Sequence, residues 1–138
     1  MVRTFTSGRW TAFLLAGCAC AAVPAWAALS VSVPALKTIE KGRWQVRELD
    51  GVTASASVCI GDPSVLLRFE HRAGSACTVE VIESAAASAT VQYSCNGRGF
   101  GHSYVRVATP RTVRVDTQGL SQGKPFSYRL EAQRVGAC

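Results

Sequence analysis

Two runs of alternating apolar and polar residues flank a stretch of small residues at positions 77–95, CTVEVIESAAASATVQYSC, with a cysteine at each outer end. Folding the chain back around Ala86 opposes Cys77 to Cys95, Val79 to Tyr93 and Val81 to Val91. Directly opposed residues of an antiparallel pair lie within the Cα separation that a disulfide requires. The pattern therefore predicts a hairpin closed by its own disulfide.

The same period of two recurs along the chain and predicts further strands. Trp44 and Val46 alternate with polar residues, Asp50-Gly51 is a favoured two-residue turn, and residues 52–60 (VTASASVCI) answer with a second alternation. A tight turn there would oppose Trp44 to Ser57. Asn96-Gly97-Arg98-Gly99 reads as a flexible turn before a strand at 100–109. Pro110 is a break, 112–117 a β-branched strand, and 118–124 a glycine-containing connection. The last strand, 125–135, sets Phe126, Tyr128 and Leu130 against Ser127, Arg129 and Glu131 on the opposite face. A helix is expected only after Asp62-Pro63-Ser64, where Asp caps and Pro suits the first helical position. Val65, Leu66 and Phe69 would share its buried side and Gly74 would end it. The expected fold is mainly β: an antiparallel meander sheet of six to seven strands, curved or barrel-like, with one short helix and two disulfides.

The first residues place this fold in an oxidising compartment. Arg3 and Arg9 precede an apolar run from Trp10 to Val23, Pro24 breaks it, and Ala25-Trp26-Ala27 is a small-x-small cleavage triplet. Residues 1–27 are expected to be a signal peptide, 28–41 a lead-in only partly ordered, and 42–138 the stapled domain. The apolar run falls short of the roughly 20 residues of a membrane span, so a transmembrane anchor is not expected. Leu15-Ala16-Gly17-Cys18 resembles a lipobox and makes Cys18 a minor candidate for lipidation. Cleavage there would leave Cys20 as an odd thiol, followed by an apolar tether, so cleavage after Ala27 is the preferred reading.

Cleavage after Ala27 leaves Cys59, Cys77, Cys95 and Cys138, which allow three pairings. The hairpin register favours Cys77 with Cys95 and leaves Cys59 with Cys138. No Cys-x-x-Cys is present, so neither a zinc knuckle nor a redox centre is expected, and no metal or cofactor. Of the 15 basic residues of the 138-residue chain, Arg3 and Arg9 lie in the leader, so 13 face 9 acidic ones, a formal +4. Arg106, Arg114 and Arg129 are spread through strands in the manner of a solvated sheet face, and a nucleic-acid footprint is not expected.

Catalytic patterns are absent from the sequence. His71 and His102 belong to no ligand pair, Glu80 and Glu83 fall on opposite faces of one strand, and no nucleophile elbow, HExxH or P-loop occurs. A lone histidine of this kind is most simply a polar group at an element end or sheet surface, and an enzyme is not expected.

Several short motifs occur in order: Gly42 and Trp44 as Gly-x-Trp, Cys59 before Asp62-Pro63, Cys77-Thr78-Val79, a tyrosine strand ending in Cys95, and Arg134, Gly136 and Cys138 at the end. In this the chain resembles a family of small exported proteobacterial proteins catalogued as a domain of unknown function. The resemblance implies a periplasmic domain with structural cysteines and brings no catalytic residues. The expected role is a non-enzymatic binding or interaction module of the cell envelope, its open face or edge meeting an envelope protein or a small apolar ligand. Trp44, Tyr93, Tyr104, Phe126 and Tyr128 are the strand aromatics available for core or contact. An inhibitor of a periplasmic hydrolase such as lysozyme or a protease, working through a loop at residues 96–101, is the alternative.

Overall fold

The computed structural model describes residues 32–51, 55–72 and 76–138. The expected cleavage site at Ala25 and Ala27, the lipobox Cys18 and the helix stop Gly74 lie outside them. Seven strands form one antiparallel sheet: β1 (Gly42–Glu48), β2 (Ala56–Ile60), β3 (Cys77–Ser84), β4 (Ser88–Cys95), β5 (Gly99–Thr109), β6 (Thr112–Ser121) and β7 (Lys124–Gly136). Their spatial order is β2-β1-β7-β6-β5-β4-β3. That is a sequential meander whose first strand meets its last and which is left open between β2 and β3. The barrel-like expectation therefore holds only in part, because the sheet has two edges and does not close.

The chain crosses from one edge to the other through η2 (Pro63–His71), a 3-10 segment, where a short helix was expected. Asp62 caps it as predicted, its carboxylate accepting from the Ser64 amide at 3.0 Å. The buried side agrees with the expectation in part: Leu66 is inside, Leu67 and His71 join it, and Val65 and Phe69 are half-buried against the core. A 3-10 turn repeats every three residues, and non-helical backbone at Arg68 rotates the residues after it, so the 3.6-residue spacing fails. A second 3-10 segment, η1 (Pro34–Thr38), replaces the extended lead-in. Val33, Ala35 and Ile39 are buried in the core, so this stretch packs as part of the domain.

Both 3-10 segments cover one face of the sheet. Trp44, Ile60, Leu66, Val91, Val105, Val113 and Val115 meet there with almost no exposure. The central hairpin has the register its pattern implies, Cys77 opposite Cys95, Val79 opposite Tyr93 and Val81 opposite Val91. A bulge after Val81 shifts the last pairs. The first hairpin corrects the tight turn at Asp50-Gly51. Trp44 opposes Val58 and Gln45 opposes Ser57, with β1 ending at Glu48 and β2 beginning at Ala56. A slip of one residue exchanges the faces of a strand, and only this register sets Trp44, Val46, Val58 and Ile60 on one side.

Two further boundaries move. β6 continues through Ser121, so residues 118–121 are strand where a connection was expected, and the turn is reduced to Gln122 and Gly123, both with positive φ. The turn before β5 is likewise short, Asn96 to Arg98, with Gly99 to Gly101 already in the strand.

Both expected disulfides are present. Cys77–Cys95 joins neighbouring strands at a Cα separation of 4.0 Å. Cys59–Cys138, at 5.8 Å, spans β1: Arg43 of β1 pairs with Cys59 on one side and Gly136 on the other. The second bond thus fastens the short edge strand β2 to the chain beyond β7.

Candidate functional site

Alternation along β4 to β7 leaves one face of these strands uncovered by the 3-10 segments, and antiparallel register arranges it in rows. Ser94, Phe100, Leu120 and Pro125 lie side by side in one row. Gln92, His102, Gln118 and Ser127 form the next, and Thr90, Tyr104, Asp116 and Arg129 the one after. Beyond them Arg106 neighbours Arg114, which shares Glu131 with Arg47 at 3.2 and 2.5 Å. Those two guanidinium groups, Arg47 first, hold the Glu131 carboxyl below the usual carboxylate range. Arg129 likewise pairs with Asp50 and lowers its carboxyl.

Between the first two rows lies a depression of about 570 Å³. Phe100, Leu120 and Pro125 supply its apolar side; Gln92, His102, Gln118 and Ser127 supply donors and acceptors. Phe100 is 48% exposed, although large apolar side chains are usually withdrawn from water. A volume of a few hundred cubic ångströms with an apolar wall and a few polar groups has the make-up of a small-molecule site. A smaller depression, about 260 Å³, adjoins it across His102, Gln118 and Ser127 and brings in Tyr104, Asp116 and Arg129. A serine, a histidine and an aspartate therefore share one surface, yet among the described residues no hydrogen bond joins Ser127, His102 and Asp116.

Beneath this end of the sheet the core turns polar. His71, expected at an element end or surface, is only 4% exposed. Its Nε2 lies 3.2 Å from the Arg98 carbonyl and its Nδ1 3.4 Å from the Tyr93 hydroxyl. A carbonyl can only accept, so Nε2 donates to Arg98, and in the neutral ring Nδ1 is then the acceptor for the Tyr93 hydroxyl. Thr117 acts on the same phenol, favouring its ionised form, and its hydroxyl lies 2.8 Å from that of Ser103. These polar groups form a contiguous set from Ser103 through Thr117, Tyr93 and His71 to the Arg98 carbonyl, and among the described residues no buried side-chain polar atom lacks a partner. Burial raises the Tyr93 phenol above its usual range, partly offset by Thr117. The Arg98 carbonyl also accepts from the Gln122 amide at 2.8 Å. His71 thus ties η2 to the turns at 96–98 and 122–123, which flank the apolar row.

All four cysteines expected in disulfides are in them, and His102 is exposed on the outer face, unlike the buried His71. Trp44, Tyr93 and Phe126 belong to the core and Tyr128 packs against it, whereas Tyr104 is 37% exposed. Among the described residues no three His, Cys, Asp or Glu side chains are grouped as metal ligands, and no helix is long and apolar enough to cross a membrane. Phe100, Leu120, Gln92 and Gln118 were not singled out by sequence. The signal was there for Phe100, which shares the phase of His102, Tyr104 and Arg106, opposite to Ser103, Val105 and Val107. The chain matches no protein-family model, no curated protein and no solved structure.

Proposed function

We propose that this protein is an exported, disulfide-stapled binding module that takes a small ligand with an apolar body on the outer face of β4 to β7. The observation that carries this reading is the 570 Å³ depression in which exposed Phe100, with Leu120 and Pro125, faces Gln92, His102 and Gln118. Apolar area left in water at a concave site is stabilised when a ligand covers it, by about 25 cal/mol per Å². Two disulfides, the leader pattern and the resemblance to small periplasmic proteins support the compartment. The reading is that of an envelope module which holds its ligand without transforming it.

Titration with the neutral fluorophore N-phenylnaphthylamine tests the site. Saturable enhancement is expected with the oxidised protein and loss of it in Phe100→Ser and Leu120→Ser, with thermal midpoints unchanged. Absence of binding, or undiminished binding by both variants, would remove the proposal.

A further inference from the structure

The two depressions on the outer face are continuous. His102, Gln118 and Ser127 line both the larger, of about 570 Å³, and the smaller, of about 260 Å³. Each has one exposed aromatic side chain in its lining, Phe100 in the first and Tyr104 in the second. Both belong to β5, in the same phase and four residues apart, about 13 Å along a strand, with His102 between them. A single six-membered ring cannot reach both.

Three properties narrow what an occupant of both would be. Strands β4 to β7 each have a neighbour on either side, so their backbone groups are engaged in the ladder and only side chains meet a ligand. An extended peptide, which adds to a free sheet edge, gains nothing here. The two charged groups of the smaller depression, Asp116 and Arg129, stand side by side with opposite signs, so neither an anion nor a cation is favoured. Between the two aromatics the surface is polar, and an alkyl chain laid over His102, Gln118 and Ser127 would remove their water without replacing its hydrogen bonds.

A pyranose ring meets these conditions. Its hydroxyls donate and accept, as amide, imidazole and serine side chains require, and its C–H groups suit the negative face of an aromatic ring. Leu120 and Pro125, beside Phe100, are apolar features that hydroxyls leave unmatched, and the facing row brings the amides of Gln92 and Gln118. An acetamido group has a methyl for the first and an amide for the second. Resting on the binding site proposed above, we infer that its ligand is an uncharged oligosaccharide bearing acetamido groups, laid over β5 from Phe100 to Tyr104. Its apolar body is the C–H faces and the acetamido methyls, and His102, Gln118 and Ser127 hydrogen-bond its polar rim.

The test is displacement of N-phenylnaphthylamine from the oxidised protein by N,N′,N″-triacetylchitotriose, N-acetylglucosamine and cellotriose. The acetylated trisaccharide is expected to displace at a concentration lower than either other sugar by about fivefold to tenfold, the scale of one aromatic contact. Tyr104→Ser should bring the trisaccharide close to the monosaccharide, and Tyr104→Phe, which keeps the ring, should retain the difference. A bound fluorophore that no sugar displaces, a trisaccharide no better than N-acetylglucosamine or cellotriose, or a preference that survives in Tyr104→Ser would overturn the inference and leave the apolar site standing. Failure of the fluorophore itself to bind would overturn the site and the inference with it.

Discussion

The Tyr93 ring lies across Gly101, its own antiparallel partner on β5. A Cβ added at Gly101 would come within 2.5 Å of Tyr93 Cζ and 2.8 Å of Cε1. The glycine lets a large ring fold down over the sheet, and the ring then reaches His71 and Thr117. An aromatic covering a strand glycine restores the packing the glycine forgoes. Gly101→Ala must therefore displace Tyr93 or bend β5, and is expected to lower stability by about 1–3 kcal/mol, as overpacking does. Urea unfolding measures this; a loss below a few tenths of a kcal/mol would show that the ring yields freely.

His71 holds two turns from inside the protein. Replacing it with leucine keeps the apolar contacts to Phe126, whose ring centroid is 6.0 Å away, and removes both hydrogen bonds. The Tyr93 hydroxyl would lose its acceptor, and an unpaired buried polar group costs about 1–3 kcal/mol. The second substitution Tyr93→Phe should then cost less in the His71→Leu background than alone. A double-mutant cycle with strictly additive losses would count against the hydrogen-bonded chain.

The two disulfides should contribute unequally. Cys59–Cys138 closes a sequence separation of 79 residues and Cys77–Cys95 one of 18. Chain entropy assigns them about 4 and about 3 kcal/mol. Against a net stability of about 5–15 kcal/mol, removing both should leave the domain largely unfolded. Circular dichroism with and without reductant reads this directly, and an unchanged unfolding midpoint in the fully reduced protein would contradict it.

Acid should act through Glu131. Its folded carboxyl is lowered by Arg47 and Arg114, so the stabilisation is complete above the unfolded-state value and is lost as pH falls through the folded one. Both arginines are 62% exposed, which limits the contribution to less than about 1 kcal/mol. The thermal midpoint of Glu131→Gln should lie below that of the native protein at neutral pH and converge with it in strong acid. A gap that widens toward acid would reverse the sign.

Legibility differed from element to element. The central hairpin could be read to the residue because two cysteines and two apolar alternations specify one register. The first hairpin could not, since Asp50-Gly51 is a good local turn in a connection where tertiary burial of Trp44 demanded a longer one. The stretch around η1 has little periodicity of its own and became core only because Val33, Ala35 and Ile39 found the sheet. His71 looked like an end-of-element histidine for the same reason, as the groups that bury it, Tyr93, Phe126 and Arg98, are 22 to 55 positions away.

Sequence alone determined the strand pattern, the opposition of Cys77 to Cys95 and the cap at Asp62, because each depends on neighbours a few residues apart or on a period of two. Tertiary structure alone decided that Phe100, Leu120 and Pro125 form one row beside Gln92, His102 and Gln118. That juxtaposition joins residues from β4, β5, β6 and β7 through the register of three strand pairs, and alternation within one strand carries no information about which residue of the next strand stands beside it.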